Sequence, residues 1–371
     1  MPDRKGRSLE VTLALDFLKV KTADAVVVKA PQLRQQVVEI LIAVKVTRQD
    51  AEITADILVE SDLRGVDSHG CGNVVGYATR IQQGTTKAQG DVRVISESPS
   101  SALITNDWGL GFAGAHTAMS MAMDKAAETG MGAVTVRDGQ HIGMLMYYPL
   151  MCVRRDMIGL AMTNGAPCVR PAGGAQAMLG TNPIAFGAPA GEEPPFLYDA
   201  ATSVVAMGKI GIARRLGVPL PPGWAADREG DWIKEPPAGR SPNWSLAPVG
   251  GDRVRGAHKG YGLSVMVDIL CGVLSGGGYS ALCREGDNHT FMLAMDISKY
   301  RPIDEFKSMM DDMIRALHAT PPEPGTEKVL VAGDPEHETY LERSTRGIPL
   351  HRSIVDNMRA KAKEVRAPVL I

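Results

Sequence analysis

A short turn between two glycines carries the side chains best suited to chemistry. The segment 64–70 reads RGVDSHG and places the hydroxyl of Ser68 beside the imidazole of His69. Histidine transfers protons near neutral pH, and a neighbouring hydroxyl can hold its ring. A helix-like run over 47–63 leads into the turn, so a rigid element would position both side chains. The same residue types also form ordinary surface turns, and the segment alone leaves that alternative open.

Three further stretches place polar groups beside glycines or helix starts. The sequence GQHIG over 139–143 puts His141 directly after a strand-like segment. Asp199 ends another strand-like run ahead of a helix, where a carboxylate caps the helix or orients a histidine or a ligand amide. His258 and Lys259 precede a long apolar run. Free N–H groups at a helix start suit a phosphate or carboxylate, although a solvated lysine at a glycine-rich helix entry is the equal alternative.

The apolar spacing predicts which elements must position these side chains. Helices are predicted over 32–46, over 47–65 with Thr47 as the N-cap, and over 74–83. Strands and helices then alternate, with strands at 92–95, 102–105, 133–137, 158–163, 179–186, 196–199, 291–295 and 329–332. Helices are predicted over 115–130, 147–151, 304–318 and 353–365, and a buried helix with a glycine turn over 261–282. The proline-rich segment 219–253 reads as an irregular excursion.

Composition excludes several classes of function. The 371 residues carry a formal charge of −2, with 44% hydrophobic and 22% charged residues, which is ordinary for a soluble globular chain. This charge gives no reason to expect nucleic acid or a membrane surface as a partner. The five scattered cysteines form no CxxC pair and no metal-ligand spacing, so we expect free thiols, a cytoplasmic location and no metal.

A glycine pattern at 109–114 has the outline of a dinucleotide fingerprint. It follows a strand, opens a helix, and the next strand ends at Asp138. However, Asp138 lies late for the pattern, and the chain then becomes irregular instead of repeating strand–helix units. We therefore favour glycines that permit close helix–strand packing, and keep an ordinary Rossmann dehydrogenase as a lesser alternative.

Seven motifs in order resemble the type-2 malate/L-lactate dehydrogenase family. They are LRGVDSHG (63–70), GQHIG (139–143), LGTNPIAFGAP (179–189), DAATSVVAMGKI (199–210), PLPPGWAAD (219–227), HKGYGL (258–263) and RGIPL (346–350). The resemblance extends over roughly residues 30–368. The family includes ureidoglycolate, sulfolactate and diketogulonate dehydrogenases and reductases of cyclic imino acids.

The resemblance implies an α/β fold that is not Rossmann. It implies a mixed sheet with a helical N-terminal part, and a homodimer. On this basis we expect an N-terminal extension over 1–28, a helical part over 29–90 that packs with 300–371, and a mixed α/β cofactor-binding domain over 91–299.

The resemblance also implies a reaction and a set of site residues. We expect NAD or NADP to exchange a hydride with C2 of a small-molecule 2-hydroxy/2-oxo acid or related imino acid. The proton would pass through His69 beside Ser68, or through His141, with Asp199 in support. Cofactor contacts would fall on His141, Gly165, Asp199, Ala200, Ala201, His258, Lys259, Gly333 and Asp334. Substrate contacts would fall on Asn73, Tyr77 and Thr181.

One departure from the family pattern affects the substrate. Asn73 stands where many members carry an arginine, and Gly76 stands where a basic residue often occurs. An asparagine cannot neutralise a carboxylate. The substrate would then be larger or less acidic, or another group such as Arg170 would hold its carboxylate. The same departure motivates a second hypothesis, a cofactor-binding relative that has lost catalysis.

Overall fold

The N-terminal region is helical, as its apolar spacing predicts. The structure is a computed structural model that describes residues 19–371. It begins with β1 (Ala25–Val28), α1 (Ala30–Ala43), α2 (Arg48–Leu63) and α3 (Val74–Gln82). The Thr47 side chain accepts a hydrogen bond from the backbone N–H of Asp50 at 3.1 Å, so the predicted N-cap of α2 is confirmed.

The middle of the chain builds a seven-stranded mixed sheet. The elements in order are β2 (Arg93–Glu97), β3 (Ser101–Thr105), α4 (Gly111–Thr129), β4 (Met131–Gln140), α5 (Tyr147–Val153), β5 (Met157–Thr163), β6 (Ile184–Ala188), β7 (Phe196–Ala200), α6 (Met207–Leu216), β8 (Ala225–Asp227), β9 (Trp244–Leu246), α7 (Ala257–Asp268) and β10 (Asp287–Asp296). The strand order is β2-β3-β4-β10-β5-β6-β7. Within this sheet β3 and β4 pair in parallel and the other neighbours are antiparallel. Because a Rossmann sheet is mostly parallel, the predicted mixed-sheet, non-Rossmann fold is confirmed.

The C-terminal elements return to the N-terminal helices. They are α8 (Ile303–His318), α9 (Asp334–Arg346), β11 (Ile348–His351) and α10 (Arg352–Glu364). β11 pairs with β1, so residues 25–28, which we assigned to the extension, have a strand partner. Residues 1–18 of that extension lie outside the described part. One apolar cluster includes Ile57, Phe112, Val134 and Met358, all nearly inaccessible to solvent. The helices, the sheet and α10 therefore share a core, and the division into domains remains a proposal.

Two local expectations are wrong, and two elements were not predicted. The predicted strand over 329–332 is a loop that joins β7 only through the backbone bond from Leu197 N to Ala332 O. α9 and β11 were not predicted; α9 is highly charged and buries none of its residues, so it lacks an apolar period. The run 261–282 contains the predicted helix and glycine turn, since α7 continues into a π-helical turn, Ile269–Val273, ahead of Gly276. The expected burial is wrong, because one face of this run is exposed.

The glycines at 109–114 serve close packing. A Cβ on Gly111 would lie 2.0 Å from the carbonyl oxygen of Gln140, and one on Gly114 would lie 2.2 Å from Oδ1 of Asn106. The cavity beside Gly109 measures about 10 Å³, far too little for a pyrophosphate. Asp138 accepts a hydrogen bond from the Thr105 hydroxyl at 2.9 Å. The packing interpretation therefore fits, and the Rossmann alternative is wrong.

This packing predicts the effect of adding one methyl group. Gly111→Ala should lower the free energy of unfolding by about 3 kcal/mol, because the backbone of Gln140 cannot move aside easily. The control is Gly211→Ala in α6, where a Cβ would meet nothing within 4 Å. That variant should be neutral or gain about 0.5–1 kcal/mol of helix stability. Urea unfolding measures both, and equal stability of the two variants would contradict the packing argument.

Candidate active site

The Ser–His turn is anchored by two carboxylates on its flanks. After α2 ends, the chain forms a single 3₁₀ turn over Asp67–His69. The buried carboxylate of Asp62 accepts a hydrogen bond from the N–H of Cys71 at 2.8 Å, and a Cβ on Gly70 would lie only 1.7 Å from it. Asp67 pairs with Arg343 of α9, which also donates to the carbonyl of Asp62. The turn therefore depends on contacts from both ends of the chain.

Asn73, the residue before α3, supports the same turn. Its amide nitrogen donates to the carbonyl oxygens of Ser68 and Gly70, each at 3.1 Å. An amide group has two hydrogens to donate, so both are used inside the turn. The predicted substrate contact at Asn73 thus has no free donor for a carboxylate.

The turn brings two histidines together. The rings of His69 and His141 are stacked, with centroids 5.4 Å apart and an interplanar angle of 21°. Nδ1 of His69 lies 2.8 Å from the Ser68 hydroxyl, and Nδ1 of His141 lies 2.7 Å from the Tyr77 hydroxyl. The N–H of Gly143 also donates to Nδ1 of His141 at 3.3 Å. Because a backbone N–H can only donate, His141 carries its proton on Nε2.

Both imidazoles are neutral at pH 7. Burial, with a smaller effect from the Lys209 charge, lowers the pKa of His69 to about 4. Burial, then His69 and Arg80, lowers the pKa of His141 to about 3. Lys209 comes from the first turn of α6, which packs so closely that a Cβ on Gly208 would lie 2.9 Å from Cβ of Ser68.

Lys209 and Arg80 are site residues that the sequence analysis did not name. Lys209 belongs to the motif DAATSVVAMGKI, so the motif pointed to it, but we predicted site roles only for the first three residues of the motif. Arg80 lies in no quoted motif. Its position one turn beyond Tyr77 on α3 was the available signal.

Asp199 supports the loop that carries His141. Its Oδ2 accepts a hydrogen bond from the N–H of Met146, at the start of α5, at 2.8 Å. Burial raises the pKa of Asp199 to about 6, against the opposing hydrogen bond from Met146. Capping of the helix that follows Asp199 was one expectation, and it is wrong. The next helix begins at Met207, and the carboxylate contacts the start of α5 instead.

Several predicted cofactor residues lie along one chain of backbone contacts. A Cβ on Gly180 would lie 2.7 Å from the carbonyl oxygen of Gly165. The next residue, Thr181, accepts the N–H of Thr202, just after Ala200 and Ala201 in sequence, at 2.9 Å. Thr202 in turn accepts the N–H of Val249, which leads towards α7.

The start of α7 suits an anion. α7 begins after Gly256, whose φ is 93°, and no side chain caps its first N–H groups. His258 and Lys259 are exposed in that first turn. The N–H groups of Ala257 and Lys259 donate to the carbonyls of Asp252 and Gly256, so only part of this helix start, beside the lysine, is open to a phosphate.

The predicted pair Gly333 and Asp334 lies against β7. A Cβ on Gly333 would lie 3.1 Å from the nitrogen of Leu197, two residues before Asp199. The Asp334 carboxylate is 2.7 Å from Nε2 of His318 and from the N–H of Val331. Its described contacts therefore lie within its own turn and α8.

Neither a metal-binding cluster nor a membrane-spanning helix occurs within residues 19–371. No group of three or more histidine, cysteine, aspartate or glutamate side chains there is arranged to hold a metal ion. No helix in the same range has both the length and the apolar character needed to cross a membrane.

The shifted pKa values predict opposite effects of acid on stability. The folded pKa of Asp199, about 6, exceeds the unfolded value of 3.8, so its contribution is full below pH 3.8 and is lost as pH rises through 6. The histidines have lowered folded pKa values, so their contribution is full above pH 6.5 and is lost as pH falls towards 4.

Asp199→Asn removes the carboxyl group whose contribution to the stability of the fold is largest in acid. Between pH 6.5 and 4.5 the variant should lose about 2 kcal/mol of unfolding free energy relative to the wild type. Urea unfolding at the two pH values measures this difference. A difference of zero, or of opposite sign, would show that Asp199 is not buried as described.

Comparison with known proteins agrees with the seven motifs and the fold. The sequence model of the malate/L-lactate dehydrogenase family matches residues 28–359. A malate dehydrogenase from Pyrococcus horikoshii is 41% identical over 336 residues, covering 89% of this chain and 92% of that protein. The ureidoglycolate dehydrogenase (NAD(+)) of Escherichia coli strain K12 is 31% identical over 311 residues, covering 82% and 86%.

Solved structures show the same relationship. The malate dehydrogenase structure from Pyrococcus horikoshii OT3 superposes with a TM-score of 0.85 at 37% identity, covering 94% of this chain and 98% of that one. A delta1-piperideine-2-carboxylate reductase from Pseudomonas syringae gives 0.80 at 26% identity, covering 91% and 100%. The chain therefore belongs to the malate/L-lactate dehydrogenase family and is an oxidoreductase by that membership.

Proposed function

We propose that this enzyme transfers a hydride between a nicotinamide cofactor and C2 of a 2-hydroxy/2-oxo acid or a related imino acid. The observation that carries the proposal is the pair of buried, stacked histidines, His69 and His141, in a family of hydroxy acid dehydrogenases. Relatives named for malate, ureidoglycolate and a cyclic imino acid support this substrate class. The cofactor, when bound, supplies or accepts the hydride.

His69 is the proton-transfer residue in this proposal. A histidine that gives a proton to the substrate oxygen must pass through the doubly protonated form, which needs an acceptor at Nδ1. The Ser68 hydroxyl can rotate to accept from Nδ1–H of His69 at 2.8 Å. An anionic substrate nearby would favour the charged ring and raise the lowered pKa of His69.

His141 has a different role. The N–H of Gly143 faces its Nδ1, so protonation there would place two donors against each other. His141 therefore stays neutral and offers its Nε2–H as a hydrogen bond to the substrate oxygen. A neutral imidazole donor of this kind polarises a carbonyl without exchanging a proton. Tyr77 positions this ring through its hydroxyl.

We propose NAD or NADP as the cofactor, held by Gly165, Ala200 and Ala201. The start of α7, with His258 and Lys259, fits the negative charge of the dinucleotide phosphates. Asp199 of β7 and the adjacent turn at Gly333 and Asp334 would also hold the cofactor. We propose Thr181 as a substrate contact.

A panel assay tests the proposal. Absorbance of NADH and NADPH is followed with aliphatic 2-oxo acids, aromatic 2-oxo acids and cyclic imines. We expect turnover with at least one substrate, and His69→Ala should lower kcat by about 10²–10⁴-fold because it removes the proton relay. His116→Ala, which changes a histidine of α4 away from the site, should retain activity.

The same panel distinguishes an active enzyme from a non-catalytic, cofactor-binding relative. Cofactor binding without turnover by any substrate would favour a non-catalytic relative, which the occupied amide of Asn73 motivates. Full activity of the His69→Ala variant would contradict the assignment of the proton to this residue.

We also propose that the enzyme is a homodimer in the cytoplasm. The segment after α7 exposes an apolar face that includes Ile269, Val273 and Leu274, with Val273 59% exposed. Exposed apolar patches of this kind mark protein interfaces. The five cysteines are all unpaired, as suits a reducing compartment.

The dimer predicts a molar mass of twice the 39.6 kDa chain in light scattering. Val273→Asp should shift the mass towards a single chain, because a carboxylate would be buried in the interface. Val254→Asp, at a valine that is 97% exposed on the loop before α7, serves as the control. A dimer unaffected by Val273→Asp would place the interface on another surface.

A further inference from the structure

A 2-oxo acid carries a carboxylate, and a buried carboxylate needs a cation of the site to pair with its charge. Asn73 cannot, because both hydrogens of its amide are donated to carbonyls of its own turn. Arg343 is engaged by Asp67. Arg170, which the sequence analysis offered, lies 5.5 Å from the ring centroid of Trp232. Two other cations act on the histidine pair, Lys209 on His69 and Arg80 on His141.

Arg80 lies on the site face of α3. It follows Tyr77 by three residues, which places both side chains on one side of the helix. The guanidinium carbon lies 5.1 Å from the centroid of the Tyr77 ring, whose hydroxyl contacts His141. The charge of Arg80 also contributes to the lowered pKa of His141, which reflects their proximity.

Apart from the Tyr77 ring, the Arg80 guanidinium has no hydrogen-bond or ion-pair partner within the described residues. Its Nε is buried and has no hydrogen-bond partner there, and no described carboxylate lies within ion-pair distance of the side chain. Buried donors are nearly always satisfied in folded proteins, and an exception requires an explanation such as a missing ligand. An anion bound at this position would satisfy it.

Gly76 leaves space beside this guanidinium. A Cβ at Gly76 would lie 3.9 Å from Nη1 of Arg80 and would meet nothing else within 4 Å. Gly76 lines a cavity of about 370 Å³ together with Ser68 and Asn73. Gly76, the neighbour of Nη1, therefore borders a cavity that reaches Ser68, whereas Arg80, His69 and His141 are not among the residues that line it.

We propose that Arg80 binds the substrate carboxylate and so fixes the reacting carbon beside His69 and His141. This role rests on the proposed function. A planar guanidinium matches a carboxylate with two parallel hydrogen bonds. The proposal commits to a substrate class, a free carboxylate directly attached to the reacting carbon, and it predicts discrimination against the corresponding ester.

The test compares Arg80→Met, which keeps apolar bulk over Tyr77, with Arg48→Met at an exposed arginine of α2. Calorimetry in the presence of NADH measures the Kd of oxamate, a non-reducible 2-oxo acid analogue. We expect wild type and Arg48→Met to bind it, and Arg80→Met to bind about 30-fold more weakly. For a reducible substrate, KM of the acid should rise by a similar factor in Arg80→Met, whereas KM of its methyl ester should not change. Arg80→Lys, which keeps the charge, should retain part of the acid preference.

The outcomes separate this role from the proposed function. Unchanged oxamate affinity in Arg80→Met, or equal rises in KM for acid and ester, would overturn the role of Arg80. Failure of the wild type to bind oxamate would overturn it as well. Absence of turnover in the wild type, with oxamate binding still dependent on Arg80, would contradict hydride transfer and support the carboxylate site.

Discussion

The site depends on the contact between the buried carboxylate of Asp62 and the backbone at Gly70 and Cys71. This contact turns the chain sharply after α2 and leaves no room for a side chain at Gly70. The desolvated carboxylate has a raised pKa, to about 7, mainly from burial and next from Asp67. Because Asp67 is in turn held by Arg343, the C-terminal α9 helps to define a turn near the N-terminus.

The two histidines have similar surroundings but different partners at Nδ1, and the proposed division of roles rests on that difference. His69 faces a hydroxyl that can donate or accept, so its ring can carry one proton or two. His141 faces a backbone N–H that can only donate, so its Nδ1 stays unprotonated. On this basis we propose proton transfer at one ring and carbonyl polarisation at the other. The distinction lies in the partner of Nδ1, because both pKa values are lowered by burial.

Much of the fold could be predicted because many helices leave a pattern of apolar and capping residues within a short stretch of sequence. The apolar period defined α1, α2 and α3, and Thr47 identified the start of α2. Elements without such a signal were missed: α9 buries no residue, and the pairing of β1 with β11 joins residues more than 300 positions apart. The exposed face after α7 was read as buried because composition does not distinguish a core from an exposed apolar surface.

The site was predicted in part for the same reason. His69 and His141 follow glycine-flanked turns, and family motifs named them. Their stacking, and the different partners of their Nδ1 atoms, arise from tertiary contacts that spacing cannot give. Arg80 was missed because the feature that identifies it is a buried Nε without a hydrogen-bond partner. That property exists only in three dimensions.

Nitrogen NMR of the histidine rings tests the division of roles most directly. In protein labelled with ¹⁵N-histidine, we expect Nδ1 of His141 to remain unprotonated from pH 7 down to pH 4. His69 should be the first of the two to take up a second proton, with its midpoint near pH 4. A spectrum in which Nδ1 of His141 gains its proton before His69 becomes charged would contradict the assignment of proton transfer to His69.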